Sequence, residues 1–152
     1  MGCDIHPYAE RKEGNQWVPV TINIFDCRNY GLFGFLAGVR NYSEVPPISA
    51  PRGLPPDVSF DTRDAYERWD LDAHSASWLS VTELVAFDYN QTMEDRRVTI
   101  QTGPHSWNGG ATAEPGGGKI MTFREFLGEA FFADLEQLKM AKAERVIFWF
   151  DS

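Results

Sequence analysis

The sequence predicts an α+β fold, in which a small and mainly antiparallel sheet packs against helices. Three observations lead to this fold class: a segment typical of a β-hairpin at 3–20, a helical repeat of apolar residues at 122–142, and a nearly continuous β-prone run at 145–150. A sheet and a helix that each have one apolar face bury those faces by packing together. No boundary divides the 152 residues, so we expect a single domain spanning 1–152.

The N-terminal hairpin is predicted from two short extended segments on either side of Gly14-Asn15, a pair that suits a two-residue turn. Successive side chains of a strand point to opposite faces of the sheet. One face of the first segment is therefore apolar, and the other is polar and able to do chemistry. The polar face carries Asp4, His6, Tyr8 and Glu10.

Helices and a loop are predicted for the middle of the chain. Asp26 or Asn29 can cap a helix through about Val39, although its glycines weaken it by roughly 1 kcal/mol each. Five prolines between 41 and 59 exclude a regular element, which predicts a long Pro-rich loop. Two shorter helices follow at about 61–69 and 80–87, the second with a Ser80–Glu83 capping box, and 70–78 is a linker between them.

The last third contributes a strand at 97–101, a Gly-rich loop at 103–118 and a long helix that begins at a Thr122–Glu125 capping box. The run at 145–150 is typical of a strand that is covered on both faces. We expect it to lie centrally, beside the N-terminal strand. The Pro-rich and Gly-rich loops are expected to cover one end of the sheet.

Composition argues against several function classes. The chain has 14 Lys and Arg against 22 Asp and Glu, a net charge of −8, so a long nucleic acid would be repelled by the average surface. No apolar run approaches the roughly 20 residues of a membrane span, and the two cysteines form neither a C-x-x-C pair nor a disulfide framework. We expect a cytoplasmic protein with a small-molecule ligand, for which a homo-oligomer is possible.

The most informative motif is Asp-x-His, which occurs twice, at Asp4–His6 and at Asp72–His74, in a chain with three histidines. Residues two apart on a strand point the same way, roughly 6.5–7 Å apart, so each carboxylate and imidazole can converge. Together the four side chains could bind a divalent metal that activates a water. Alternatively, each Asp could orient its His, giving one general base and one general acid. An ordinary structural hydrogen bond is the third interpretation.

Arginines and an indole complete the predicted site. Arg40 and Arg52 are candidates for binding phosphate, because a planar guanidinium grips phosphate through two hydrogen bonds; a surface salt bridge is the alternative for each. Trp107, if exposed, offers a face on which a nucleobase could stack. The residues expected to bind substrate are Arg52, Arg40, Trp107, Ser75 and His105.

Six segments of the chain, at 1–6, 28–30, 36–41, 51–55, 74–79 and 148–151, resemble a family of small proteins of bacteriophages and bacteria that begin Met-Gly-Cys-Asp-Ile-His. The resemblance implies a phage-type, cytosolic setting. The paired Asp-x-His residues and the arginines predict a hydrolase of a small phosphodiester. By analogy with the phage setting, we expect a cyclic nucleotide immune signal as its substrate and counter-defence as its role. The alternatives are a binding protein that sequesters the nucleotide uncleaved, and a structural or interaction protein of the phage.

Overall fold

The computed structural model describes residues 2–104 and 106–152, and at 99–103 and 106–110 it describes the backbone only. Its strands are β1 (Asp4–Glu13), β2 (Gln16–Val20), β3 (Ala73–Ser80), β4 (Thr92–Asp95), β5 (Arg97–Gly103), β6 (Ser106–Thr112), β7 (Lys119–Thr122) and β8 (Arg145–Asp151). Its helices are α1 (Tyr30–Ala37), α2 (Phe60–Trp69), α3 (Val81–Ala86), α4 (Phe123–Leu127) and α5 (Glu129–Met140). The α+β prediction is confirmed.

An antiparallel sheet in the order β2-β1-β8-β3 forms the centre of the fold. Strand β8 lies between β1 and β3, and its residues 145–150 are all buried, as expected for the apolar run that ends the sequence. We call one end of the sheet the His6 end, where Asp4 and Ala73 both pair with Asp151. The opposite end, where Glu10 and Ser80 both pair with Arg145, is the Glu10 end.

The two faces of the sheet belong to different apolar layers. Phe148 and Phe150 pack into the larger cluster, which also contains the apolar residues of α1, α4 and α5. Ile147 and Trp149 pack on the other face with Val58 and residues of α2. Neighbouring residues of β8 therefore face different surroundings, which follows from the alternation of side chains along a strand.

Helix α1 and the Pro-rich segment match their predictions. The side chain of Asn29 accepts a hydrogen bond from the Leu32 backbone, and Gly38 ends the helix with φ 72°. Residues 41–59 contain no helix or strand. This loop nevertheless bonds to β3, because Gly53 N–H donates to the Ala76 carbonyl at 2.9 Å.

Three segments differ from their predictions. The expected linker at 70–78 is a 3-10 turn, Asp70–Asp72, followed by β3, because its backbone pairs with β8. Part of the expected Gly-rich loop forms β6, which pairs with β5. The expected helix at 122–142 is divided into α4 and α5 at Gly128, whose φ of 83° and ψ of 169° are incompatible with a helix.

None of the helices in the described ranges is both long and apolar enough to cross a membrane.

Candidate functional site

An imidazole–carboxylate hydrogen bond marks the His6 end of the sheet. Nε2 of His6 lies 2.7 Å from Oδ2 of Asp151. His6 pairs with Trp149 across β1 and β8, and Asp151 follows Trp149 by two residues, so both side chains share one face. The side chains are 21% and 20% exposed. The pair is therefore held by the sheet and still reaches the surface.

The hydrogen bond assigns roles to the two nitrogens of the His6 ring. An ionised carboxylate accepts only, so Nε2 carries the hydrogen and donates it to Asp151; in the neutral ring, Nδ1 then holds the lone pair. Within the part of the chain that the structure describes, Nδ1 makes no hydrogen bond. An imidazole in this state can take a proton from a water or a hydroxyl.

Trp69 fixes the plane of the His6 ring. The two ring centroids are 4.2 Å apart and the planes are inclined by 38°. Trp69 is the last residue of α2, so the helix places its indole over the imidazole. This contact is between ring faces and takes up neither nitrogen of the His6 ring. The next residue, Asp70, has φ 49° and ψ −124°, a backbone conformation that costs a non-glycine residue energy.

The carboxylate of Asp4 is hydrogen-bonded to an arginine and not to His6. The carboxylate of Asp4 accepts two hydrogen bonds from Arg28, Nε to Oδ1 at 2.9 Å and Nη2 to Oδ2 at 2.8 Å. These hydrogen bonds hold the pKa of Asp4 below its usual value. A guanidinium has five N–H donors, so three remain for an anion. Arg28 lies against Gly2, where an added Cβ would be 2.0 Å from Nη1.

Compared with models of known protein families, with curated proteins and with solved structures, the chain shows no match. The resemblance to phage and bacterial proteins therefore stays a prediction, as does the cytoplasmic location that it implies. The evidence for function is the site itself.

The second Asp-x-His pair does not join the first, which corrects the expectation of a common cleft. His74 pairs with Phe150, whereas His6 pairs with Trp149, and neighbouring positions on β8 point to opposite faces. Both nitrogens of His74 contact hydroxyls: Nε2 lies 3.1 Å from Oγ of Ser152, and Nδ1 lies 3.1 Å from Oγ of Ser75. Ser75, which has φ 54°, is in the irregular part of β3.

Asp72 neither orients His74 nor completes a metal site. It ends an exposed 3-10 turn, one residue before β3 begins, so the alternation of a strand does not align it with His74. Across 2–104 and 106–152, no group of three or more His, Cys, Asp and Glu side chains is arranged to hold a metal ion. The predicted ligand set of Asp4, His6, Asp72 and His74 is thus not assembled.

Arg52 binds groups of the protein instead of an open phosphate site. Its guanidinium forms an ion pair with Glu83 and donates to the Trp78 carbonyl at 3.2 Å. It also lies over the Trp78 ring, 4.8 Å from the centroid. The salt-bridge alternative is therefore the one observed, and Arg52 anchors the Pro-rich loop to β3 and α3.

Arg40 lies close to the start of β1. It donates to the Tyr42 hydroxyl at 3.2 Å and lies 5.5 Å from the centre of the Tyr30 ring. Its charge also acts on the buried thiol of Cys3, where burial raises the pKa and Arg40 opposes that increase. Arg40 thus contacts aromatic rings of the protein and lies near Cys3, which belongs to the larger apolar cluster.

The remaining substrate-binding predictions lie outside the described residues. This applies to His105 itself and to the side chain of Trp107.

Sequence reasoning missed Asp151, Arg28 and Trp69. A signal for Asp151 existed: once the first and last strands are paired antiparallel, the carboxylate that ends the apolar run lies near Asp4 and His6. Arg28 and Trp69 gave no such signal, because a loop and a helix bring them to the sheet.

Proposed function

We propose that this chain hydrolyses a small phosphodiester and that His6 is its general base. The observation that carries the proposal is the 2.7 Å hydrogen bond to Asp151, which leaves Nδ1 of His6 unbonded within the described residues. Nδ1 takes a proton from the attacking water, and Asp151 stabilises the imidazolium that forms. As the new P–O bond forms, the opposite P–O bond breaks, and the leaving oxygen takes its proton from solvent.

Arg28 is the residue that we assign to the phosphate. Asp4 fixes the plane of its guanidinium, and the N–H groups that Asp4 does not use can donate to phosphate oxygens. A small diester with one negative charge per phosphate suits this single local cation in a chain of net charge −8. A cyclic nucleotide is the substrate we propose.

The test compares two faces of the same sheet. Purified protein is incubated with a panel of cyclic mononucleotides and cyclic dinucleotides, and the products are separated by chromatography after denaturation. His6→Ala is expected to lower turnover about 10²–10⁴-fold, the usual contribution of a general base. Asp151→Asn is expected to lower it as well, because the ring loses the carboxylate that sets its tautomer.

His74→Ala is the matched control, since His74 lies on the opposite face, and it should retain turnover. Equal losses in His6→Ala and His74→Ala would contradict the assignment. Recovery of bound, intact nucleotide from the unaltered protein would instead support the sequestering alternative. A chelator should leave turnover intact if the imidazole acts alone, and loss of turnover would indicate a metal.

A further inference from the structure

A second surface lies at the Glu10 end of the sheet, away from His6. A floor of buried, hydrogen-bonded residues, Glu10 and Arg145, lies beneath it. Glu10 is completely buried, and its Oε1 accepts two hydrogen bonds from Arg145, at 3.0 and 2.8 Å. The third nitrogen of Arg145 donates to Asp57 at 3.0 Å. Every nitrogen of this guanidinium is therefore bonded within the protein, and its side chain is only 6% exposed, so it offers little to a ligand.

The Trp17 indole is fixed on this floor. Arg145 lies over the ring, 3.7 Å from its centroid, and the indole N–H donates to Oδ2 of Asp57 at 3.0 Å. Trp17 and Asp57 thus form a ridge whose position does not depend on a ligand. Such preorganisation lowers the entropic cost of binding.

A cavity lies on each side of the Trp17–Asp57 ridge. The first, of about 400 Å³, extends past Pro19 to Phe60, whose side chain is 80% exposed. The second, of about 560 Å³, lies between Trp17 and Trp78. Each cavity has room for a large side chain, and aromatic and proline rings form much of the lining of both. Pro55 and Pro56 complete the second cavity.

The accessible charges in the two linings have one sign. Asp57, with a side chain that is 61% exposed, belongs to both cavities. Asp61 lines the first and Glu144 lines the second, and both are exposed. Among the described residues that line the two cavities, the cation is Arg145, whose side chain is 6% exposed and bonded. Outside the linings, Nζ of Lys12 lies 5.6 Å from the centroid of the Trp17 ring. The accessible charges of the two linings are therefore acidic and favour a basic partner.

We propose that this surface binds a basic, extended peptide segment of a partner protein. Two apolar side chains of the segment enter the cavities on either side of Trp17, and a Lys or Arg between them contacts Asp57. The carboxylate of Asp57 already accepts two hydrogen bonds, and it has about four acceptor positions. The net charge of −8 attracts such a segment from a distance and disfavours a second copy of this chain.

The experiment uses a library of fluorescein-labelled nine-residue peptides with random flanks and either Lys and Arg or Asp and Glu at the centre. Binding to the full chain is measured by fluorescence polarisation at low and high salt. We expect the basic set to bind, with apolar residues selected on both flanks, and the affinity to fall as salt increases.

Phe60→Ser and Glu144→Lys should each weaken the selected peptides about tenfold or more, as expected for an apolar anchor and for a charge reversal. Leu71→Ser is the matched control: Leu71 is 93% exposed at the His6 end, and its loss should leave affinity unchanged. Absence of binding, selection of acidic peptides, or equal affinity in Phe60→Ser would overturn the proposal. Self-association that Phe60→Ser abolishes would also overturn it, because the occupant would then be a second copy.

Discussion

At the scale of single residues, Glu10 and Arg145 form an ion pair whose side chains are only 0% and 6% exposed. Glu10 is fully buried, and besides Arg145 it accepts hydrogen bonds from the Ser59 backbone at 2.9 Å and from Thr62 Oγ1 at 3.0 Å. Hydrogen bonds and an opposite charge offset the desolvation of a buried carboxylate, whereas a buried carboxylate left alone is strongly destabilising. The pair also ties the start of α2 to β1 and β8.

Arg145→Met should lower the free energy of unfolding by about 3–5 kcal/mol, because Glu10 would remain buried without its cation. Urea denaturation followed by circular dichroism measures the change. Arg68→Met is the control, since Arg68 pairs with Asp64 on the exposed side of α2, and it should change stability by less than about 1 kcal/mol. Equal losses in the two variants would show that Arg145 does not hold a buried charge.

At the same scale, the sequence predicted which residues of β1 share a face but could not predict their partners. The D-x-H spacing correctly places Asp4 and His6 together. Their hydrogen bonds nevertheless go to Arg28 and Asp151, which are 24 and 145 residues away. Partners at such separations are chosen by strand register and loop path, and the local pattern contains neither.

At the scale of elements, helix ends were the most predictable features. The capping boxes that start α3 and α4 are both present, because they depend on residues three positions apart. Strand β3 was missed because its polar sequence resembles a linker, and only the backbone of β8 makes it a strand. The division between α4 and α5 was missed because a glycine inside an apolar repeat does not reveal its φ.

Glu83 links the α3 cap to the Pro-rich loop, and its ionisation should affect stability. Hydrogen bonds from Arg52 lower the pKa of Glu83 to about 2. A lowered pKa stabilises the fold above the unfolded-state value, near 4.5, and this stabilisation is lost as pH falls towards 2. Because both side chains are partly exposed, Glu83→Gln should cost about 1 kcal/mol at pH 7.

Urea denaturation at pH 7 and pH 3 tests this prediction, and the difference between the unaltered protein and Glu83→Gln should shrink at pH 3. Glu136→Gln, in the exposed pair with Lys139 on α5, should show little cost at either pH. A Glu83→Gln cost that is the same at both pH values would contradict the role of its charge.

Two glycines with equal space around them should differ in their tolerance of a side chain. An added Cβ meets nothing within 4 Å at Gly38 or at Gly128. Gly38 has φ 72° and ψ 13°, a left-handed conformation that asparagine adopts readily. Gly128 has φ 83° and ψ 169°, a region that is essentially restricted to glycine.

Gly38→Asn should therefore cost less than about 1 kcal/mol, and Gly128→Asn about 1–3 kcal/mol. Thermal and urea denaturation of the two variants provide the comparison. If Gly128→Asn proved as stable as Gly38→Asn, the backbone at the α4–α5 junction would not have the conformation described.

At the scale of the whole molecule, stability should increase from the small sheets towards β8. Strand β8 is paired on both sides and buried on both faces, whereas β4 and β7 form a separate two-stranded sheet. Hydrogen exchange measured by mass spectrometry should show the slowest exchange in 145–150 and faster exchange in 92–95 and 119–122. Equal protection in the three segments would mean that the sheets open as one unit.

Each outer strand of the central sheet has a feature that opposes further strand pairing. On one side, the Pro-rich loop bonds along β3 through Gly53 and Ala76. On the other side, β2 carries Pro19, which has no N–H to offer. Uncovered strand edges are the usual starting points of aggregation. A loop therefore covers part of one edge of this aromatic-rich sheet and a proline interrupts the other, and both features oppose intermolecular sheet growth.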